Sequence, residues 1–296
     1  MWWRLSLPLS PVLEESLLWK LDSLGVHRLA VQHAPESPDQ CTLLAWLPST
    51  EWPHDQRLQL LNSLRPLAET FGLVLADPVW EEFVDEDWSL SWKKHWQPDP
   101  VGLRLLILPA WLDVPDEHGH RLVLRMDPGS AFGTGSHPTT RLCLEALEAD
   151  LPRGQTVADL GCGSGILGLA ALALGASQVN AADIDSLAVR ATTENAALNG
   201  LKENQLRVGH GSIDALHTLL KGELVDVLLC NILAPVIEAL APEFVKVLKP
   251  RGRGLLSGLL VDQAPRLIEV LAQFGWRARP VGEQGRWGLL EIERVF

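Results

Sequence analysis

Three short segments of this sequence carry residue types whose spacing suits chemistry. The first is Asp159-Leu-Gly161-Cys-Gly163-Ser-Gly165. Glycines between a strand and a helix allow a tight turn and let the backbone approach a ligand closely. Their spacing is GxGxG, whereas dinucleotide-phosphate turns use GxGxxG. Asp159 precedes the first glycine by two residues, at the strand's end. A pyrophosphate site has no use for that extra negative charge, but the carboxylate can accept hydrogen bonds or face a cation. Asp183 ends the next strand, where an acid can bind ribose hydroxyls in a bidentate way. The plainer alternative is a glycine turn that only packs helix against strand. The second segment, Met126 to Arg141, includes Thr134, His137, Thr139 and Thr140 and is rich in glycine, proline and hydroxyl groups. It forms a hydrogen-bonding loop that ends at a helix N-terminus, where Thr139 or Thr140 could serve as a cap. The third, Asp226-Val-Leu-Leu-Cys-Asn231-Ile-Leu-Ala234-Pro, ends a hydrophobic strand on an amide. Asn231 there can accept a hydrogen bond from an attacking amine and orient its lone pair. Its plainer role is a strand-end turn residue.

The elements that position these residues divide the chain. From Thr156 onward strands and helices alternate: strands at Val157–Leu160, Val179–Asp183, Gln205–Val208, Leu224–Cys230, Gly254–Ser257 and Arg277–Val281, with helices such as Ile166–Leu174 and Leu187–Leu198 between them. Such repeats predict a mostly parallel, doubly wound sheet with ligands at the carboxyl ends of its strands. Strand candidates Leu103–Leu108 and Arg121–Arg125 lead into this half. Upstream, strand Trp2–Leu9, helix Pro11–Leu24, strands Val26–Gln32 and Cys41–Leu47, helix Leu58–Phe71 and a strand opening at Leu73–Ala76 give the order β-α-β-β-α-β of a small ferredoxin-like unit. Between the halves, Trp88, Trp92 and Trp96 fall at a four-residue spacing that would place them on one face of a helix. The expected division is residues 1–80, a linker helix over 81–100, and 101–296.

Asp159–Gly165 with Asp183 resembles the cofactor motif of class I S-adenosylmethionine-dependent methyltransferases. That likeness implies a Rossmann-like α/β sheet of seven strands and S-adenosyl-L-methionine as cofactor, with Asn231 facing the transferable methyl group. Asn231-Ile-Leu-Ala234 is similar to the Asn/Asp-Pro-Pro-aromatic motif of amino-group methyltransferases but lacks both prolines and the aromatic residue. The missing stacking partner points away from a planar base and towards a flexible amine such as lysine. With the loop Asp127–Thr140, the three segments together resemble the methyltransferases of ribosomal protein eleven of the large subunit. Asp87-Trp88, Trp92, Pro109-Ala-Trp111 and Asp113-Val-Pro-Asp116 extend the likeness upstream. It implies methylation of lysine ε-amino groups and of the N-terminal α-amine, with Asn231 catalytic. It also implies cofactor contacts from Thr140, Gly161, Asp183 and Asn231, joined in our reading by Asp159, Gly163 and Thr134, and an N-terminal domain that grips the protein substrate. His137 is the one candidate base nearby, and its plainer role is to fix the loop.

Composition narrows the classes. A net charge of −12 argues against binding nucleic acid by general phosphate neutralisation and suits a basic protein partner. No apolar run reaches the length of a membrane span, and the N-terminus lacks the pattern of an export signal. The four cysteines are scattered without metal-ligand spacing, and no tyrosine is present to supply a phenol. The expectation is a monomeric cytoplasmic enzyme without metal, acting on a large-subunit ribosomal protein and binding neither membrane nor specific nucleic-acid sequences. The alternatives are the same transfer to another basic protein or to a nucleic acid, a nicotinamide oxidoreductase and a non-catalytic adenosine-binding module.

Overall fold

The computed structural model describes residues 2–34, 37–83, 96–127 and 135–295. The chain divides into two compact units, Met1–Gln97 and Pro98–Phe296.

In the first unit, β1 (Trp2–Leu9), α1 (Glu14–Ser23), β2 (Leu29–Ala34), β3 (Ser37–Pro48), α2 (His54–Thr70) and β4 (Val79–Phe83) follow one another. The sheet is antiparallel throughout, in the order β2-β3-β1-β4. Leu5, Leu7 and Leu9 alternate inward from β1, and Leu17 and Leu21 of α1 with Leu60 and Leu64 of α2 complete one core. The last strand is not at Leu73–Ala76. Those residues run irregularly, with Leu73 and Leu75 packed against the core. Pairing with β1 begins at Val79↔Ser6, directly after Pro78, whose missing N–H suits it to a strand's start. The 81–100 span expected as a linker helix therefore opens inside β4 and closes inside a strand of the second unit. Residues 84–95, with Trp88 and Trp92, lie outside the described residues. Trp96 donates its indole N–H to the Leu29 carbonyl at 3.5 Å.

The second unit opens with β5 (Asp99–Val101), β6 (Leu105–Pro109) and β7 (Leu122–Met126), a small sheet of its own. The main body then runs α3 (Pro138–Ala149), β8 (Thr156–Leu160), α4 (Ile166–Ala173), β9 (Gln178–Asp183), α5 (Ser186–Leu198), β10 (Leu206–His210), α6 (Ile213–Leu219) and β11 (Val225–Asn231). It closes with α7 (Ala234–Leu240), β12 (Leu248–Leu260), α8 (Ala264–Gln273), β13 (Trp276–Gln284) and β14 (Trp287–Arg294). Its seven strands lie in the order β10-β9-β8-β11-β12-β14-β13. The first five are parallel, and β14 is antiparallel to both of its neighbours. From β8 the chain winds outward through β9 and β10, then returns to place β11 on the other side of β8. That reversal is a topological switch point, and sheets of this kind bind their ligands beyond the carboxyl ends of the strands on either side of it, here β8 and β11. Among the described residues no helix is long and apolar enough to cross a membrane.

Candidate active site

The glycine turn leaves β8 at Leu160 and enters α4 at Ile166. Gly161, Gly163 and Gly165 have φ of 72°, 55° and 83°, the left-handed region that side chains with a Cβ resist. Space imposes a second demand. A Cβ at Gly161 would overlap Ile232, the residue after Asn231, and one at Gly165 would stand 2.7 Å from Thr192 of α5. Gly258 of β12 has φ of 85°, and a Cβ there would strike the backbone of Ile232 from the other side. The turn is stitched to β9, because Gly161 N and Cys162 N both donate to the Ala182 carbonyl, at 2.8 and 3.2 Å.

Asp183 stands at the end of β9, partly exposed. Its Oδ2 accepts from Gly163 N at 3.0 Å and its Oδ1 from Asp185 N at 2.9 Å. Each carboxylate oxygen keeps a further lone pair for a ligand hydroxyl. Asp159 lies below the turn and is 1% exposed. Its Oδ2 accepts from Gly168 N, in the first turn of α4, at 2.9 Å. Its Oδ1 has no hydrogen-bond partner in the protein. Burial pushes this carboxyl up to about 7, against the opposing hydrogen bond from Gly168 and with help from the negative charge of Asp183. Burial also raises the thiols of Cys162 and Cys230, each reinforced by Asp159. Neither is a thiolate at neutral pH, so neither is a nucleophile.

At the end of β11, Asn231 donates from Nδ2 to Thr140 Oγ1 at 3.3 Å. Thr140 is buried in the first turn of α3. The N-cap of that helix is His137, whose Nδ1 accepts from Thr139 N at 3.3 Å, so neither threonine is the cap. The His137 ring is buried, edge-on to Trp287 at 4.8 Å between centroids. This is the setting of a group that fixes a helix start. Of the residues singled out by sequence, Asp159, Gly161, Gly163 and Asp183 gather around one turn, while Thr140 and Asn231 meet as a pair. Thr134 lies outside the described residues. The sequence places a helix at α5 but singles out none of its residues, and there Thr192 donates to the Gly163 carbonyl at 2.9 Å and Asn195 is 1% exposed. Among the described residues, no group of three or more His, Cys, Asp or Glu side chains could hold a metal ion.

A sheet in this order, with its glycine turn on the central strand, an acid ending the next strand and an amide ending the fourth, defines the class I methyltransferase fold. The model of the ribosomal protein L11 methyltransferase (PrmA) family matches residues 1–294. The chain belongs to that family. It is 69% identical over 284 residues to a ribosomal protein L11 methyltransferase of Parasynechococcus marenigrum strain WH8102, covering 96% of this chain and 98% of that one. A protein of the same name from Prochlorococcus marinus strain MIT 9303 is 65% identical over 293 residues, covering 99% and 97%. The crystal structure of a ribosomal protein L11 methylase from Lactobacillus delbrueckii subsp. bulgaricus superposes with a TM-score of 0.60 at 33% identity. That match covers 68% of this chain and all of the other.

Proposed function

We propose that this chain methylates ribosomal protein L11 from S-adenosyl-L-methionine, on lysine ε-amino groups and on the N-terminal α-amine. The observation that carries the reading is the Asn231–Thr140 pair. With Nδ2 spent on Thr140, the carbonyl Oδ1 of Asn231 is the acceptor left for an amine N–H. The turn suits this cofactor, since its three left-handed glycines bring bare backbone to the carboxyl end of β8, and the buried carboxyl of Asp159 next to them keeps one oxygen without a partner. Gly161 and Gly163 would hold it through the backbone, Asp183 would take the ribose hydroxyls, and Thr140 with Asn231 would hold the methionine end. Asp159 would act from below, through the first turn of α4.

When bound, S-adenosyl-L-methionine supplies a methyl carbon on a positively charged sulfur, open to attack in line. The chain's own contribution is positioning and exclusion of water. Asn231 Oδ1 accepts from the amine and directs its lone pair. A free lysine has a pKa of about 10.4 and attacks only as the neutral amine. Burial beside a cation lowers that value, and the proton leaves to water. Held by Gly161, Gly163, Asp183 and Thr140, the cofactor would supply its methyl group directly to the amine placed by Asn231, so no covalent enzyme intermediate would be needed. The small residue Ala234 after Asn231 and the −12 net charge favour a lysine of a basic protein over a nucleobase. The N-terminal unit would recognise the protein substrate.

Incubation of the purified chain with L11 and methyl-labelled cofactor, followed by mass analysis of peptides, tests this directly. Label on lysine and α-amine nitrogens of L11 is expected. Label on a different protein from a ribosomal mixture, with L11 untouched, would replace the substrate and leave the chemistry.

A further inference from the structure

We propose that Asn195 is a positioning residue of the cofactor site, a single amide that ties the glycine turn to the strand end at Asp127. The inference rests on the S-adenosyl-L-methionine reading above. Asn195 is 1% exposed, yet both of its polar atoms are used. Oδ1 accepts from Asp127 N at 2.9 Å, and Nδ2 donates to the Ser164 carbonyl at 2.9 Å. Thr192 on the same face of α5 and Asn199 at its C-cap extend the hold in each direction. Thr192 donates to the carbonyl of Gly163, the residue before Ser164. Asn199 grips Arg125 by both backbone groups, accepting from its N at 2.9 Å and donating to its carbonyl at 2.7 Å. Together these side chains hold two successive carbonyls of the turn and two residues around the end of β7. Asn195 is the member that touches both.

The chemistry requires an amide, because one atom must accept from an N–H while the other donates to a C=O. A carboxylate can only accept. The physical gain is pre-organisation. A turn with three glycines in the left-handed region has wide backbone freedom on its own, and a ligand that had to order it would bind more weakly. Asn195 and Thr192 settle that cost during folding. Losing Asn195 should therefore weaken cofactor binding and leave the rate at saturating cofactor nearly intact, the opposite of what loss of Asn231 should do.

The test is calorimetric binding of S-adenosylhomocysteine, with steady-state methylation of L11, for wild type, Asn195→Ala and Asn195→Asp. We expect Kd, and KM for S-adenosyl-L-methionine, to rise about tenfold or more in the alanine variant, with kcat within about threefold. The aspartate variant keeps the shape of asparagine and carries the test if the alanine variant fails to fold. Its ionised carboxylate holds Asp127 N but has no proton for Ser164. Its affinity relative to wild type at each pH should be low at pH 8 and recover as acid supplies that proton. Wild-type affinity in the variants, a defect confined to kcat, or a ratio flat across pH would overturn the proposal. A wild-type protein that fails to bind S-adenosylhomocysteine removes the cofactor reading itself, before any variant is compared.

Discussion

Asn231 and Thr140, 91 residues apart in the chain, meet where Nδ2 of the amide points at the hydroxyl of the threonine, 3.3 Å away. The contact fixes which end of the amide is left for a ligand. Replacing Asn231 with alanine should lower kcat for L11 methylation by about tenfold or more while the cofactor Kd changes less. Rapid-quench or steady-state kinetics beside calorimetry separates the two, and turnover within about a factor of two of wild type would remove Asn231 from the reaction.

Thr140→Val should act through the same amide. Without its acceptor, Asn231 rotates freely and presents Oδ1 only part of the time, so kcat should fall less than in Asn231→Ala. The two residues form one unit, so the double variant should be about as slow as Asn231→Ala alone. Additive losses in the double-mutant cycle would mean that the two act separately.

Asp183→Ala removes a carboxylate that accepts two backbone N–H groups and, in the proposed site, the ribose hydroxyls. A charged hydrogen bond contributes about 1.5–3 kcal/mol, so affinity for S-adenosylhomocysteine should drop roughly ten- to a hundredfold. Unchanged affinity in a folded variant would take Asp183 out of the site. Nicotinamide dinucleotides should not bind, and saturable micromolar binding of one would favour an oxidoreductase.

Asp159 links the site to the pH dependence of stability. Its carboxyl rises from 3.8 to about 7 on folding, so between those values the folded chain holds a proton that the unfolded chain releases. Unfolding free energy should therefore fall as pH rises from about 4 to about 7, by at most about 4 kcal/mol from this group, and level off above. Asp159→Asn should remove that part of the slope, whatever its effect at a single pH. Urea melts at pH 5 and pH 8 give the slope for each protein, and equal slopes would mean that Asp159 does not titrate in this window.

A fragment beginning at Pro98, where the second compact unit starts, should retain cofactor binding and lose methylation of intact L11. The loss should appear mainly as weakened substrate affinity, since the proposed transfer groups remain. Efficient methylation of L11 by the fragment would remove the recognition role of the N-terminal unit.

The candidate site was legible because Asp159, Asp183 and Asn231 sit at strand ends. A buried apolar strand followed by glycines or by a lone amide marks such an end in the chain itself. The strands β5 and β14 were less visible. Asp99–Val101 is three residues long, and Trp287–Arg294 was passed over although it pairs on both sides between β12 and β13. The strand expected at Leu73–Ala76 failed because apolar residues can pack against a core without pairing, and Pro78 marked the true start. Thr192 and Asn195 were invisible for a different reason. Polar residues three apart on a helix read as a solvated face, and only the packing of α5 against the turn reveals that they are buried.

The position of Ile232 carries a consequence for how relatives of this protein can diverge. It is clasped between two glycines, Gly161 from the turn and Gly258 from β12, neither of which leaves room for a methyl group. Drift at any one of the three positions is thereby restricted by the other two. Gly258 lies outside every motif that suggested chemistry, yet it should tolerate exchange no better than Gly161 does. A lineage that gained a side chain at either glycine would have to reshape residue 232 in the same interval, and would shift the neighbouring amide as it did so.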